Sequence, residues 1–203
     1  MTMNTKRLYF SRLAPEWDAI PRSAEASSGV RQFVRRSANA QAHRILDVGC
    51  GTGILLPDLL AACRKATCIV ELDFAEQMLR ENRCKAADAR VRRVCADART
   101  LPFPEACFDL VLCFGVLPHL GVAQTAVDAL LRVLRTSGFL SFGHLMGSAE
   151  LNTLHQSVGE PLGEDVLPAA GNLAEMLRQR AATVVAAEES SDWYFVQAIK
   201  EHP

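Results

Sequence analysis

The residues best able to do chemistry in this 203-residue chain are acids and histidines set at intervals, and the first of them opens a glycine run. Residues 45 to 53 read Ile-Leu-Asp-Val-Gly-Cys-Gly-Thr-Gly. A short apolar run ends in glycines at 49, 51 and 53, and a helical pattern begins at Ile54. Glycines in that place let a strand turn sharply into a helix and let a ligand lie against bare backbone. The spacing narrows the ligand. A dinucleotide fingerprint needs its third glycine where Ile54 stands, and a phosphate-gripping loop needs a Gly-Lys-Ser/Thr ending that is absent here. Asp47, two residues before the first glycine, suits a ligand carrying a cationic ammonium group. It suits a pyrophosphate poorly.

Around this run, strand-like and helical stretches alternate. Strands are expected at 44–48, 67–72, 91–95, 108–113, 138–143, 183–188 and 193–199, and helices at 54–63, 75–86, 122–135, 148–158 and 172–180. Residues 1–40 read as two short helices broken at Pro15, Pro21 and Ser27-Ser28-Gly29, with Tyr9, Phe10 and Trp17 as apolar contacts. Such alternation implies an α/β fold: a doubly wound, mainly parallel sheet of seven strands with helices on both faces, preceded by a helical segment. In these sheets ligands lie beyond the carboxyl ends of the strands. There the second strand ends in Asp73 and the third in Cys95-Ala96-Asp97-Ala98.

The glycine run, Asp73-Phe74-Ala75-Glu76-Gln77-Met78-Leu79, Asp97 and Leu101-Pro102-Phe103-Pro104 before Phe108-Asp109-Leu110-Val111 together resemble the class I S-adenosylmethionine-dependent methyltransferases. The resemblance runs from about Ile45 to Gly138 and weakly beyond. It implies that S-adenosyl-L-methionine is bound by Asp47, Gly49, Cys50, Gly51, Gly53, Asp73, Phe74, Met78, Asp97, Ala98 and Phe114. Asp73 would accept from the ribose hydroxyls and Asp97 from the adenine amino group. It also implies a seventh strand that is antiparallel. One departure falls before the fifth strand, where Leu134-Arg135-Thr136-Ser137-Gly138 replaces the family's Leu-Lys-Pro-Gly-Gly; it bears on loop geometry and not on the cofactor.

Methyl transfer from a sulfonium is an in-line displacement from an already activated donor, so the protein mainly positions the acceptor and handles a proton. Candidates must line the mouth of the sheet. His119 follows the fourth strand and His144 directly follows the fifth; His155 lies eleven residues on, one helical turn from Asn152. Pro118-His119, His144, Glu150-Leu151-Asn152, His155 and Leu167-Pro168 together resemble a group of bacterial members of the superfamily. His119, His144 and His155 are therefore the catalytic candidates, with His119 and His144 positioning or deprotonating the acceptor. A strand-end histidine bonded to backbone, or three imidazoles sharing a divalent metal, are the other readings, and no metal is expected. His43 and His202 are expected in solvent.

Seven cysteines, an odd number with no C-x-x-C pair, support neither a disulfide framework nor a zinc knuckle and are expected to be reduced, mostly buried thiols. No apolar stretch reaches the roughly 18 residues of a membrane span, and the start shows no signal-peptide core, so a cytoplasmic location is expected. Net charge is −1, but residues 1–44 hold eight Lys or Arg against three acids. A basic arm raises RNA as an acceptor. No Asp/Asn-Pro-Pro-Tyr/Phe follows the fourth strand, where Phe114-Gly115-Val116-Leu117 stands, so nucleic acid is not expected as a partner. The reading is a methyltransferase of a small-molecule acceptor. Residues 1–40 would form a lid over the acceptor and 41–203 the cofactor-binding domain, within one globular unit. The alternatives are a methyltransferase of an anionic macromolecule such as RNA and a non-catalytic S-adenosylmethionine-binding protein.

Overall fold

The computed structural model of the chain describes residues 3–19, 24–85 and 87–201, so the expectations at Pro21 and His202 lie outside the described residues. Helices α1 (Met3–Trp17) and α2 (Ala24–Ser37) precede strand β1 (Arg44–Val48). Then follow α3 (Leu56–Ala62), β2 (Cys68–Asp73), α4 (Glu76–Arg83), β3 (Val91–Cys95), β4 (Phe108–Phe114), α5 (Ala123–Val133) and β5 (Leu134–His144). The chain closes with α6 (Ser148–Val158), α7 (Ala170–Arg178), β6 (Ala182–Ser190) and β7 (Trp193–Lys200). The seven strands form one sheet in the order β3-β2-β1-β4-β5-β7-β6, parallel except for β7, which runs antiparallel to β5 and β6. A sheet covered on both faces needs strands that are apolar throughout. The central strands β1 and β4 meet that need, with Leu46, Val48, Val111 and Cys113 packed on one face and Ile45, Leu110 and Leu112 on the other.

Two departures from the sequence expectation sit near the N-terminus. Pro15 lies inside the last turn of α1, where the hydrogen bond it forfeits is among the helix's last and the break is avoided. Ser27-Ser28-Gly29 lies within α2 and is no loop. Gly29 serves close packing instead: a Cβ there would stand 2.5 Å from Leu145 Cδ2. A third departure concerns β5, which starts at Leu134, four residues before the expected strand. Leu134 pairs with Phe108, the register then shifts, and Ser137 takes φ +60°, so the Arg135-Thr136-Ser137 stretch is a bulge inside the strand.

Where β1 and β2 lie side by side, Asp47 is in register with Glu71, and Glu71 with Arg93 of β3. Asp47 and Glu71 are fully buried, so the sheet interior holds two neighbouring carboxyls. Asn82 of α4 donates to Glu71 Oε2 at 2.8 Å, and Arg93 in turn holds Asn82, donating to its Oδ1 at 2.6 Å. Among the described residues, Asp47 Oδ2 and Glu71 Oε1 have no hydrogen-bond partner. Burial therefore pushes Glu71 up to about 7, against the hydrogen bond from Asn82 and the charge of Arg93. Asp47 is raised well above the ordinary range by burial, then by Glu71 and Asp73.

A carboxyl with a raised folded-state pKa binds more protons folded than unfolded between its two values, so stability falls as pH rises through that window. For Glu71 the window runs from 4.5 to about 7. Glu71→Gln keeps an oxygen for Asn82 and removes the ionisable group, so it raises the melting temperature at pH 8 and leaves it nearly unchanged at pH 4.5. Differential scanning fluorimetry at both pH values reads this directly, and an equal shift at the two would rule out an ionisation cost at Glu71.

Candidate cofactor and acceptor site

The chain winds from β1 through β2 to β3 on one side of the sheet, and β4 and β5 continue on the other, so the order reverses beside β1. That reversal opens a crevice beyond the carboxyl ends of β1 and β4. A cleft of about 570 Å³ fills it, a volume typical of small-molecule sites. Its walls are Gly49 to Thr52, Asp73-Phe74 and Met78, Phe114-Gly115-Val116, His144-Leu145-Met146 and the inner face of α6, with Tyr9, Phe10 and Trp17 from α1 across the top. A smaller recess joins it, lined by Gly49, Asp73, Phe74, Asp97, Ala98 and His119 among others.

The three glycines of the loop do different things. All have positive φ, which only glycine adopts without strain. At Gly49 a Cβ would strike Val116 Cγ2 at 2.3 Å, so the bare backbone lets the β1 and β4 loops touch. Gly51 faces open space in the cleft. Gly53 lies off the cleft wall and makes room for Asn82, whose Nδ2 would be 2.6 Å from a Cβ. Asp47 also lies off the wall, buried, with one oxygen that has no hydrogen-bond partner among the described residues.

Asp73 stands at the lip of the cleft. Its Oδ1 accepts from Ala75 N at 2.8 Å and its Oδ2 from Gly51 N at 3.0 Å, which ties the glycine loop to the end of β2. Burial raises its pKa to about 6 against those backbone bonds. With Asp47 and Glu71 below, three acids with two orphaned oxygens make this end of the cleft strongly attractive to a cation. S-adenosylmethionine, with a sulfonium and an ammonium, fits such a site; a dinucleotide pyrophosphate does not. Asp97 is placed differently from expectation. Its carboxylate caps the following turn through Arg99 N at 2.9 Å and holds the Arg99 side chain at 2.7 to 3.1 Å, so both oxygens are already engaged.

All three candidate histidines line the cleft, and their Nδ1 partners fix their tautomers. His119 sits on a short 3-10 turn after β4, where Nδ1 faces Asp165 Oδ2 at 2.7 Å. A carboxylate only accepts, so Nδ1 carries the proton and Nε2 keeps its lone pair. Burial lowers the His119 pKa in spite of Asp165. His155, on α6, likewise faces the Asp165 carbonyl through Nδ1 at 2.9 Å, and its ring lies 5.2 Å from that of His119. His144 is the reverse case. Its Nδ1 accepts from Met146 N at 3.0 Å, so the neutral ring carries its proton on Nε2. Burial and the neighbouring His119 push it down to about 4. His144 is thus a hydrogen-bond donor toward the cleft, which corrects the expectation that it could deprotonate an acceptor there. Among the described residues no group of three or more His, Cys, Asp or Glu has the geometry to hold a metal ion.

Sequence reasoning missed Asp165, Glu71, Asn82, Arg93 and Lys6. Glu71 had a signal, a charge inside an apolar strand; Asp165 sits in an irregular segment and had none. Of the other expectations, His43 is exposed, and Cys113 is buried in β4. All seven cysteines are free thiols, but only Cys50, Cys63 and Cys113 are buried, while Cys84 and Cys95 are exposed. No helix among the described residues is long and apolar enough to cross a membrane. The basic N-terminal arm is partly neutralised within the fold: Lys6 pairs with Asp165, and Arg36 pairs through both nitrogens with Glu188.

Comparison with known proteins agrees with this architecture. Residues 45–138 match the methyltransferase domain family Methyltransf_25. The chain is 29% identical over 187 residues to the ubiquinone/menaquinone biosynthesis C-methyltransferase UbiE of Stutzerimonas stutzeri, covering 87% of this chain and 68% of that protein. It is 36% identical over 165 residues to the malonyl-[acyl-carrier protein] O-methyltransferase of Herminiimonas arsenicoxydans, covering 75% of this chain and 55% of that one. The chain thus spans between about half and two thirds of these relatives' length. The crystal structure of a SAM-dependent methyltransferase from Aquifex aeolicus superposes with a TM-score of 0.69 at 16% identity, over 95% of this chain and 97% of that one. Residues 45–138 thus carry the Methyltransf_25 methyltransferase domain, and the glycine loop, strand-end acids and sheet order agree with the class I S-adenosylmethionine-dependent methyltransferase fold.

Proposed function

We propose that this protein transfers a methyl group from S-adenosylmethionine to a small molecule with a largely apolar body and an ionisable O–H or C–H. One observation carries the reading: an apolar cleft meets the acidic glycine loop on one side and His119, with its Nδ1 held by Asp165, on the other. When bound, the cofactor would supply an electrophilic methyl group on a sulfonium. The chain's own residues do the rest. Asp73 meets the ribose hydroxyls with the lone pairs that Gly51 and Ala75 leave free. Ala98 and the backbone beside Asp97 shape the adenine recess, since the Asp97 carboxylate is engaged by Arg99. Cys50, Phe74, Met78 and Phe114 wall the cofactor, and Asp47 adds charge from below. His119 Nε2 takes the acceptor proton, and His144 Nε2–H donates to the oxygen on which negative charge builds.

The name of the first relative supports this substrate class, since UbiE is named for ubiquinone/menaquinone biosynthesis; the second is named for malonyl-[acyl-carrier protein], an acyl group carried on a protein. RNA is the second reading, motivated by the basic arm, and the pairing of Lys6 with buried Asp165 and of Arg36 with Glu188 at the surface weakens it. We further propose that α1 is the lid of the cleft. Its Phe10 meets Phe74, Trp17 and His119 edge-on with ring centroids 5.2 to 6.1 Å apart, and Asp18 beyond its end binds Thr52 and Lys85.

Asp73→Ala removes a charged acceptor and should weaken S-adenosylhomocysteine binding by about 1–3 kcal/mol in isothermal titration. Affinity equal to wild type would refute the ribose assignment. Release of S-adenosylhomocysteine with cell extract, before and after depletion of nucleic acid or of all macromolecules, separates the readings. Activity should survive both depletions, whereas loss on nuclease treatment would favour RNA and no release at all a binding-only protein. With an acceptor in hand, His119→Ala should cut kcat by about 10²–10⁴ with cofactor affinity kept. Because a protonated His119 is inactive and its pKa lies below the ordinary imidazole value, kcat/KM should be flat from about pH 7 to 8 and fall only in more acid solution. Amide exchange in residues 8–17 tests the lid: protection should rise on adding S-adenosylhomocysteine, and equal protection in both states would make α1 a fixed helix.

A further inference from the structure

Asp165 lies in the irregular segment between α6 and α7, yet three parts of the chain converge on it, two of them distant in sequence. Its Oδ2 meets His119 Nδ1 at 2.7 Å, its Oδ1 takes the ammonium of Lys6 from α1, and its backbone carbonyl meets His155 Nδ1 at 2.9 Å. The Asp165 and Lys6 side chains are only 4% and 12% exposed, so the contact is an interior one. The segment is braced on both sides. Asn152 of α6 clamps Leu167 through two hydrogen bonds of 2.8 and 3.0 Å, and Asp165 N donates to Leu162 O. A neutral imidazole has two tautomers, and only the one with Nδ1 protonated leaves a lone pair on Nε2 to take a proton from the cleft.

Resting on the reading of His119 as base, we propose that Asp165 is the positioning residue that selects this tautomer, and that Lys6 fixes the carboxylate in place and sets a positive charge beside the ring. The N-terminal helix then does more than cover the cleft: seating Lys6 on one oxygen of Asp165 leaves the other oxygen to face His119. Asp165 is well suited to the role. Burial works to raise its pKa, but the hydrogen bonds from His119 and Lys6 outweigh burial and hold the carboxyl below the ordinary range, so it remains an acceptor across the working range of pH. Through its carbonyl the same residue presents a second Nε2 lone pair, that of His155, beside the first.

The substitution Asp165→Asn makes a prediction that packing alone does not. An asparagine offers one oxygen and one NH2, and Lys6 can only donate. The oxygen must therefore turn to Lys6 and the NH2 to His119, whose Nδ1 becomes an acceptor and whose proton moves to Nε2. Adding Lys6→Met frees the asparagine to turn round and restore the original tautomer. Five histidines make this readable by multiple-bond ¹H–¹⁵N spectra of the full chain labelled at the imidazoles, with no acceptor needed. Wild type should show protonated Nδ1 at His119 and His155 and protonated Nε2 at His144. Asp165→Asn should switch His119 alone, since His155 is bonded to backbone, and the Lys6→Met, Asp165→Asn double variant should switch it back. Retention of Nδ1–H at His119 in the single variant, or no reversal in the double, overturns the proposal. Should Asp165→Asn fail to fold, as its His155 signal would report, Lys6→Met alone decides: His119 must keep its tautomer and titrate at a higher pH, and an unchanged midpoint overturns the part given to Lys6. Titration of wild type with S-adenosylhomocysteine runs alongside; its failure would sink the methyltransferase reading while the tautomers still judge Asp165.

Discussion

Two carboxyls side by side in the middle of a parallel sheet are the constraint around which the rest of the cofactor end is arranged. Asp47 and Glu71 are neighbours in register, fully buried, with a single guanidinium at the end of their row reached through Asn82. Neither can ionise cheaply while the other is charged, so the pair titrates as a unit at raised pH. The arrangement costs stability in the free protein and creates a standing demand for positive charge just above the glycine loop. A cationic ligand there lowers the cost of ionising the acids, and ionised acids hold the cation. On the proposed cofactor site, affinity and protein stability would be linked through the same two groups. The Asn82 link also explains Gly53, whose missing side chain admits the amide that keeps Glu71 satisfied on one oxygen.

The acceptor end obeys a different rule, because its charge is arranged by tethers across the cleft. Helix α1 is fastened near both ends, by Lys6 to Asp165 and by the adjoining Asp18 to Thr52 and Lys85. Between the fastenings Phe10 and Ala14 pack on Ala75, Met78 and Leu162. The Asp18–Lys85 pair is partly solvated and worth little by itself. The Lys6–Asp165 pair is interior, and removing one partner would strand a buried charge. The helix is held more firmly over the histidines than over the glycine loop.

Much of this was legible in the sequence. Period and glycine spacing located all seven strands within a few residues, and the acids at the ends of β1 and β2 pointed to the edge where the cleft opens. The errors have specific physical causes. Gly29 looked like a loop breaker because a glycine chosen for close packing against Leu145 carries the same letter as one chosen for its φ. Residues 134–135 read as the end of a helix, and 136–137 as a turn, because a bulged strand start has no clean alternation. Asp165 was invisible for a deeper reason. Its partners lie 46 and 159 residues away, and only the fold brings them together.

The histidines make the same point within one residue type. At the level of sequence His119, His144 and His155 are equivalent candidates. In the fold, a carboxylate, a backbone N–H and a backbone carbonyl meet their respective Nδ1 atoms, and those partners dictate what each Nε2 can offer. Two rings present a lone pair and one presents a proton. Burial keeps His144 neutral down to about pH 4, so its Nε2–H remains a dipolar donor and never becomes a competing cation beside a sulfonium. That matters for a cationic donor, because an imidazolium facing it would repel the group whose transfer the site exists to promote. Under the proposed reading, a neutral donor at His144 and a base oriented by a carboxylate at His119 are what burial in the apolar cleft would supply.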